Sequence, residues 1–379
     1  MRDLLVTAHT PVLRSGHVIR TYGVARALAA QGNGLDLLYV GFDAPEPDDA
    51  FRSIPGIRLH EVVPSRGLRR MRAYGAARLA GVPGGFARGV SAELADDATR
   101  LAAQPDRGRV IADGPIVAAS LAALARRRPV IYNAHNFESG FRHELGGPGA
   151  DSPERLRAFE RELLANAAES WMVSEADVAA ARELCPSARL RYAPNVVDVS
   201  AIEPVQPRPG VQRAIFVANF AYEPNRNGLR FMLERVLPQV WAELPEAKLT
   251  LVGAGLEQPP SSDPRVEALG FVEDLPGAYA NAACAVVPLL VGGGTPLKLI
   301  EALAYALPVI ATPRAVAGLA VSDGEDCLIA DGADAFAAAL VRILRDGDPE
   351  LGRRGRRLAA ERYSIETLTA LLADMRPRP

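Results

Sequence analysis

Apolar residues along the chain fall into short blocks, separated by longer stretches where they recur every third or fourth position. The blocks at 4–8, 35–40, 57–63, 110–112, 130–133 and 171–174 have the length and branching of buried strands. Between them, the stretch 18–30 keeps Val18, Tyr22, Ala25 and Ala29 on one face and meets Gly32 near its end, which predicts a helix. Further helices are predicted around 67–80, 91–103, 115–127 and 153–168. This alternation predicts a parallel, doubly wound sheet. The segment after Tyr192, APNVVDVSAIEPVQPRPG, is proline-rich and aperiodic and reads as a linker. A second series starts at Ala214: IFVANF, a long helix at 227–243, KLTLVGAG, GFVEDL, a strand at 285–290, a helix to about Ala306, a strand at 309–311, CLIA at 327 and a helix at 332–345. The tail at 351–375 reads as two helices. The expected organisation is a first α/β domain over 1–197, a second over 211–350, and C-terminal helices over 351–379. Doubly wound halves bind ligands at the carboxyl ends of their strands, so two of them facing one another would enclose a cleft.

The most informative stretch is AVVPLLVGGGTPLKLIEALAYALPVIATPR, 285–314. Gly292, Gly293 and Gly294 follow a buried strand, Thr295 is a good N-cap, and Pro296 suits a first helical position. A glycine turn at a helix N-terminus lets backbone N–H groups approach an anion, and the helix dipole favours negative charge there. The helix is apolar except for Lys298 and Glu301, three apart and so on one face. Lys298 offers a point charge for a phosphate, and Glu301 an acceptor pair for a diol. The spacing equally allows a plain turn before a core helix, with Lys298 and Glu301 paired on a solvated stripe.

Composition narrows the field. At 379 residues, two domains are the default. With 49% hydrophobic residues and a net charge of −2, the chain reads as a globular protein and not a nucleic-acid binder. Lys248 and Lys298 are the only lysines; the strong Arg bias suits a high-GC bacterial genome and makes a lysine at 298 informative. Three scattered cysteines suggest neither zinc nor disulfides, and no signal-like or membrane-spanning stretch is evident, so a cytoplasmic location is expected.

Other candidates lie at predicted strand ends. Gly16 and His17 of SGH sit in the first βα loop, where the alternative is an ordinary helix start. His135, with Glu138 close by, lies in YNAHNFES; a lone histidine is often structural. Arg226 in ANFAYEPNRNGLRFML would grip an anion or cap a solvated helix start. LVGAG, with Gly253, is only a GxG and gives poor support for a hydride-transfer cofactor. SRGLRRMRAYGAARLAG carries Arg66, Arg69, Arg70, Arg72 and Arg78. It is either a solvated face or a surface for peripheral membrane contact or an anionic acceptor.

GGGTPLKLIEALAYALPVIAT resembles the donor-binding segment of group-1 (family 4) retaining glycosyltransferases with the GT-B fold, in the subgroup with a GGGT turn and a lysine three before the glutamate. The resemblance spans nearly the whole chain; it is strong over 214–320 and weak between about 41 and 108. It implies two Rossmann-like domains facing a central cleft, the last helix crossing back to the first domain, and a sugar moved from a nucleoside-diphosphate sugar to a hydroxyl acceptor on a glycan, lipid-linked glycan or natural product. It places Glu301 on the donor ribose, His135 by the donor sugar, and Gly253, Phe271 and Val272 around the nucleobase. The loop with Gly16 and His17 would close on diphosphate and acceptor, and Arg226 and Lys298 would hold the diphosphate. It implies no metal and no cofactor, and departure of the diphosphate on the face the acceptor attacks. Two positions depart from the family pattern: Gly293 stands where many members carry a second glutamate, and Asn227 where many carry a lysine. A sugar-nucleotide epimerase or hydrolase on the same fold, or a non-catalytic nucleotide-binding partner of another transferase, is the alternative.

Overall fold

A computed structural model describes residues 1–41, 46–140, 151–206, 210–256 and 260–373. The chain divides into two compact units. Unit 1 is Met1–Asn195 together with the end of the helix Ile365–Ala373 from Leu368 on; unit 2 is Val196–Thr367.

In unit 1 the strands β1 (Arg2–Thr7), β2 (Gly34–Val40), β3 (Ile57–Val62), β4 (Arg107–Asp113), β5 (Ile131–Asn133), β6 (Glu169–Met172) and β7 (Leu190–Tyr192) form one sheet in the order β3-β2-β1-β4-β5-β6-β7. All pairs are parallel, with Leu4 opposite Val110 and Asp36. Strands buried this fully need apolar residues on both faces, and Leu4, Leu5 and Val6 are wholly enclosed. Ser15, Ser91, Ser152 and Ser174 each cap the helix that follows, accepting a backbone N–H of its first turn. The last of these helices, Glu175–Leu184, and strand β7 were not anticipated. The helix expected over 115–127 is broken at Leu121 into Pro115–Ser120 and Ala122–Ala125.

In unit 2, β8 (Arg213–Val217), β9 (Lys248–Val252), β10 (Val266–Gly270), β11 (Cys284–Val287), β12 (Val309–Ala311) and β13 (Leu328–Ile329) form a second parallel sheet in the order β10-β9-β8-β11-β12-β13. One cluster built on Phe216, Phe220, Met232, Leu251 and Phe336 forms its core. Three expectations shift. GFVEDL is not the strand: β10 is VEALG, a half-exposed edge, and Phe271 follows it into solvent. The strand expected over 285–290 ends at Val287. The long helix starts at Glu223, not 227, because Pro224 fits its first turn; it passes through a π-helical stretch, Met232–Val236, before Leu237–Glu243.

Candidate functional site

Each sheet runs outward in both directions from its first strand, which creates a switch point between β1 and β4 in unit 1 and between β8 and β11 in unit 2. Crevices form at the carboxyl ends of such strand pairs.

At the unit 2 switch point, the loop after β11 carries the glycine turn. Gly292 and Gly294 have φ of 118° and 71°, a region open to glycine. The N–H groups of Gly292, Gly293 and Gly294 have no acceptor among the described residues. The helix that follows is Leu297–Ala304, and Pro296, not Thr295, takes the N-cap position. A residue before proline is driven to extended backbone, so Thr295 stays outside the helix, where it is buried.

Lys298 and Glu301 do not pair with one another. The Lys298 ammonium donates to Asn225 Oδ1 and lies 5.6 Å from the centre of the Phe216 ring. Asn225 is itself aimed: its Nδ2 donates to the Asn219 carbonyl at 2.7 Å. Glu301 Oε2 accepts from the Tyr279 hydroxyl at 3.2 Å, and Tyr279 stacks on Tyr305 with centroids 4.3 Å apart. Among the described residues neither charge has a counter-charge. Burial therefore pushes the Lys298 amine down to about 7. Burial pushes the Glu301 carboxyl up to about 7 against the opposing pull of the Tyr279 hydrogen bond. A glycine turn with open N–H groups, an amine and a carboxyl thus stand on one loop and one helix, and among the described residues the amine and the carboxyl have only neutral partners.

The remaining unit 2 candidates differ in setting. Arg226 is half turned to solvent at the start of Glu223–Phe231, where it pairs with Glu223 and donates to the Ala221 carbonyl at 3.2 Å. Asn227 accepts from Arg230 at 3.1 Å. Gly253 has φ of 131°, and a Cβ there would stand 1.8 Å from the Ala218 carbonyl oxygen. Its lack of a side chain is demanded by the close approach of the turns after β8 and β9. Phe271 is 59% exposed beside half-buried Val272.

At the unit 1 switch point, Asp113 ends β4 and is buried. Its Oδ1 accepts from His135 Nε2 at 3.0 Å and Asn133 Nδ2 at 2.6 Å, and its Oδ2 accepts from the Thr21 hydroxyl at 2.5 Å. Burial alone would raise this carboxyl, but the neighbouring imidazole and the three hydrogen bonds hold it well below the usual range. An ionised Asp113 places the imidazole proton on Nε2. Gly114, at φ of 87°, leaves room for the ring; a Cβ there would stand 2.8 Å from His135 Cε1. His17 stacks on His135 at 4.9 Å and on His9 at 5.4 Å. Gly16, exposed, opens the helix that carries His17. Behind them, Arg20 donates to Asn133 at 2.6 Å and to Asn195 and the Ala193 carbonyl at 3.1 Å. Glu138 is buried beside the cluster's loop, where both Glu160 carboxylate oxygens accept backbone N–H groups of Glu138 and Ser139 at 2.8 Å.

The structure thus joins His17 to His135, and gathers Lys298, Glu301 and the glycine turn. Reading the sequence missed Asp113, Thr21 and His9 in unit 1, and Asn225 and Tyr279 in unit 2. Among the described residues, no group of three or more His, Cys, Asp and Glu side chains is placed to hold a metal ion, and no helix is long and apolar enough to cross a membrane. In the helix Leu68–Leu79, Arg69 pairs with Glu93 and Asp96, and Arg78 with Asp151.

Residues 211–346 match the family model described as Glycosyl transferases group 1, a match that lies within unit 2. No curated protein sequence matches the chain. Among solved structures, sucrose-phosphate synthase from Thermosynechococcus elongatus is similar at 19% identity, with 98% of this chain and 97% of that one covered and a TM-score of 0.75. The Anabaena protein HepE, in complex with UDP and glucose, is similar at 13% identity, covering 99% and 98%, with a TM-score of 0.68. The pneumococcal O-GlcNAc transferase GtfA, in complex with UDP and GlcNAc, is similar at 10% identity, covering 98% and 97%, with a TM-score of 0.69. At these identities the likeness shows the fold: two Rossmann-like α/β units of the GT-B class.

Proposed function

We propose that the chain is a retaining glycosyltransferase of the group-1, family 4 kind, moving a sugar from a nucleoside-diphosphate sugar to a hydroxyl acceptor. The observation that carries this reading is the pairing of an unfilled amide turn with Lys298 and Glu301, two charged groups given only neutral partners. A nucleotide-sugar supplies what each lacks. Its diphosphate would take the N–H groups of Gly292–Gly294 and the Lys298 ammonium, and its ribose diol would donate to the Glu301 carboxylate. As the glycosidic bond breaks, charge grows on the leaving diphosphate, and these donors together with Arg226 would stabilise it. In unit 1, Asp113 orients His135, whose role would be to hydrogen-bond the donor sugar. Gly16 and His17 would meet the diphosphate and acceptor, and Gly253, Phe271 and Val272 would flank the base. Retention follows if the acceptor attacks the face from which the diphosphate departs, with a diphosphate oxygen taking its proton. A metal-independent reaction is supported by the donor set, which is amides and an amine in place of a carboxylate cluster. Exposed Leu68, Met71 and Leu79 beside Arg70 and Arg72 support peripheral contact with a membrane.

Two of the similar structures hold UDP, which makes it the first diphosphate to try. Titrating wild type and Glu301→Gln with UDP and the other nucleoside diphosphates, set against NAD, tests the reading. A carboxylate holding a diol accepts charge-assisted bonds of roughly 1.5–3 kcal/mol each, so the substitution is expected to weaken binding about ten- to a hundred-fold with the fold intact. Equal affinities in two folded proteins, or binding of NAD alone, would overturn the assignment.

A further inference from the structure

Asn225 meets Lys298, yet the donor chemistry proposed above gives it no role. It lies in the first turn of the helix Glu223–Phe231 and is 4% exposed. Asparagine competes with helical hydrogen bonding, so a buried one needs partners at both ends of its amide. It has them. Its Nδ2 donates to the Asn219 carbonyl at 2.7 Å, and its Oδ1 accepts from the Lys298 ammonium. The two ends cannot be exchanged, because a carbonyl requires an N–H and an ammonium requires an oxygen. The Asn219 carbonyl is itself fixed: it also accepts the Tyr222 N–H at 3.2 Å, and the Asn219 side chain accepts the Ala221 N–H at 3.0 Å. The turn after β8 thus aims one amide oxygen at one amine.

That oxygen is neutral. An aspartate in its place would have nearly the same shape and would meet the ammonium as a counter-charge. Burial accounts for the low Lys298 value of about 7. The other ionisable groups around the lysine are engaged elsewhere. Glu301, on the same helix, is bonded to Tyr279. Glu223 and Arg226, on the helix of Asn225, pair with each other. Arg356, on the helix Pro349–Arg362, donates to the Ala304 carbonyl at the far end of Leu297–Ala304. The Cys284 thiol on β11 is pushed up to about 12 by burial and is uncharged near neutrality. A buried amine on a neutral acceptor keeps its field uncompensated, which costs folding stability and favours an arriving anion.

We propose that Asn225 is a positioning residue of the donor site: it holds the Lys298 ammonium with a neutral oxygen, so that the charge stays available to an incoming diphosphate. This rests on the reading of the glycine turn and Lys298 as the diphosphate site, and it adds a determinant of affinity that acts through the lysine. The choice of asparagine over aspartate at one buried position then sets how strongly the site attracts its ligand and up to what pH it does so.

The test reads the lysine and the ligand separately, on the full chain. Lys248 and Lys298 are the only lysines, so isotope labelling at lysine Cε gives two NMR signals, and Lys248→Arg assigns them. Asn225→Asp supplies a counter-charge and is expected to raise the pH at which the Lys298 signal titrates by about one pH unit or more. Asn225→Leu removes the acceptor at similar volume and is expected to lower it by about one pH unit. Both variants lose the bond to the Asn219 carbonyl, so opposite movements isolate the effect of the oxygen. In UDP titrations near neutral pH, Asn225→Asp is expected to bind about tenfold or more weakly, because its lysine is already paired. Its loss of affinity on the alkaline side should begin at higher pH than in wild type, and that of Asn225→Leu at lower pH. The titration of UDP itself is common to the three proteins. Opposed movements in the two variants, or the expected movement in whichever one folds, with a matching shift of the UDP profile, uphold the proposal. A Lys298 signal that stays in place, or moves the same way in both variants, overturns it, while UDP binding by wild type leaves the donor reading standing. A Lys298 signal that moves as expected while the UDP profile stays at that of wild type overturns the proposal together with the place of Lys298 in the donor site. Wild type that binds neither UDP nor another nucleoside diphosphate fails both.

Discussion

The two switch points are built on the same topology and treat charge in opposite ways. In unit 1, Asp113 is saturated: a histidine, an asparagine and a threonine all donate to it, and the carboxyl is held far below its usual range. In unit 2, Lys298 and Glu301 have an amide and a phenol, and both are driven by burial to about 7. The Asp113 carboxylate is satisfied without a ligand and orients the His135 ring. The second leaves an amine and a carboxyl on neutral partners; a bound nucleotide would bring anionic phosphate to the amine and diol hydroxyls to the carboxyl. Rigidity belongs where a ring must be oriented, and electrostatic incompleteness where a ligand must be drawn in.

The largest expected effect comes from dismantling the saturated cluster. Asp113→Asn leaves buried donors facing a group that no longer answers them and is expected to cost unit 1 about 3 kcal/mol. Trp171 lies in unit 1 and Trp241 in unit 2, and they are the chain's two tryptophans, so each unit carries its own optical reporter. Denaturant unfolding read at Trp171 in a Trp241→Phe background should shift, while unfolding read at Trp241 in a Trp171→Phe background should not. Because the folded carboxyl sits below its ordinary value, its stabilisation is present above that ordinary value and is lost as pH falls towards the folded one. The variant should lose that part of the acid sensitivity. An unchanged Trp171 midpoint would show that the cluster is not a structural unit.

The unsaturated site makes an intermediate prediction. Anion binding favours protonated Lys298, so affinity falls as pH rises above about 7; diol binding favours ionised Glu301, so affinity falls as pH drops below about 7. A nucleoside-diphosphate sugar, whose phosphates do not titrate in this range, should bind best near neutrality, losing up to about tenfold per pH unit on either side. Glu301→Gln should flatten the acid limb and Lys298→Met the alkaline one. Flat profiles in wild type would mean that neither group meets the ligand.

The smallest effect is expected from Tyr279→Phe. The Tyr279 hydroxyl is what draws the Glu301 carboxyl downward, so its removal raises that carboxyl further and moves the acid limb to higher pH. Affinity at neutral pH should fall about two- to tenfold, the value of a single hydrogen bond. An acid limb that stays in place would show that Tyr279 supports only packing against Tyr305.

What the sequence disclosed depended on how local each signal was. The βαβ rhythm, the glycine turn and the Lys298/Glu301 face are written within a few residues and were legible. Their partners were not. Asn225 lies 73 positions from Lys298 and Tyr279 lies 22 from Glu301, and only the sheet order brings them together. Asp113 ends an apolar strand with no motif around it, and its donors come from two distant places in the chain, Thr21 in the first helix and Asn133 and His135 at the end of β5. The misplaced strand has a physical reason too. Edge strand β10 buries little of VEALG, so the more apolar-looking GFV beside it drew the assignment, although Phe271 proved exposed.

The π-helical stretch Met232–Val236 has a consequence for how this chain tolerates length changes. A π turn holds one residue more than an α turn, and each α-helical residue advances the helix by about 100°. The stretch therefore sets the phase between two half-helices: one presents Asn225 to Lys298, while the other turns Leu237 and Val240 into the core. Deleting a single residue there would yield a more regular helix and a worse protein. The core half would keep its seat, and the half bearing Asn225 would be rotated away from the amine it holds.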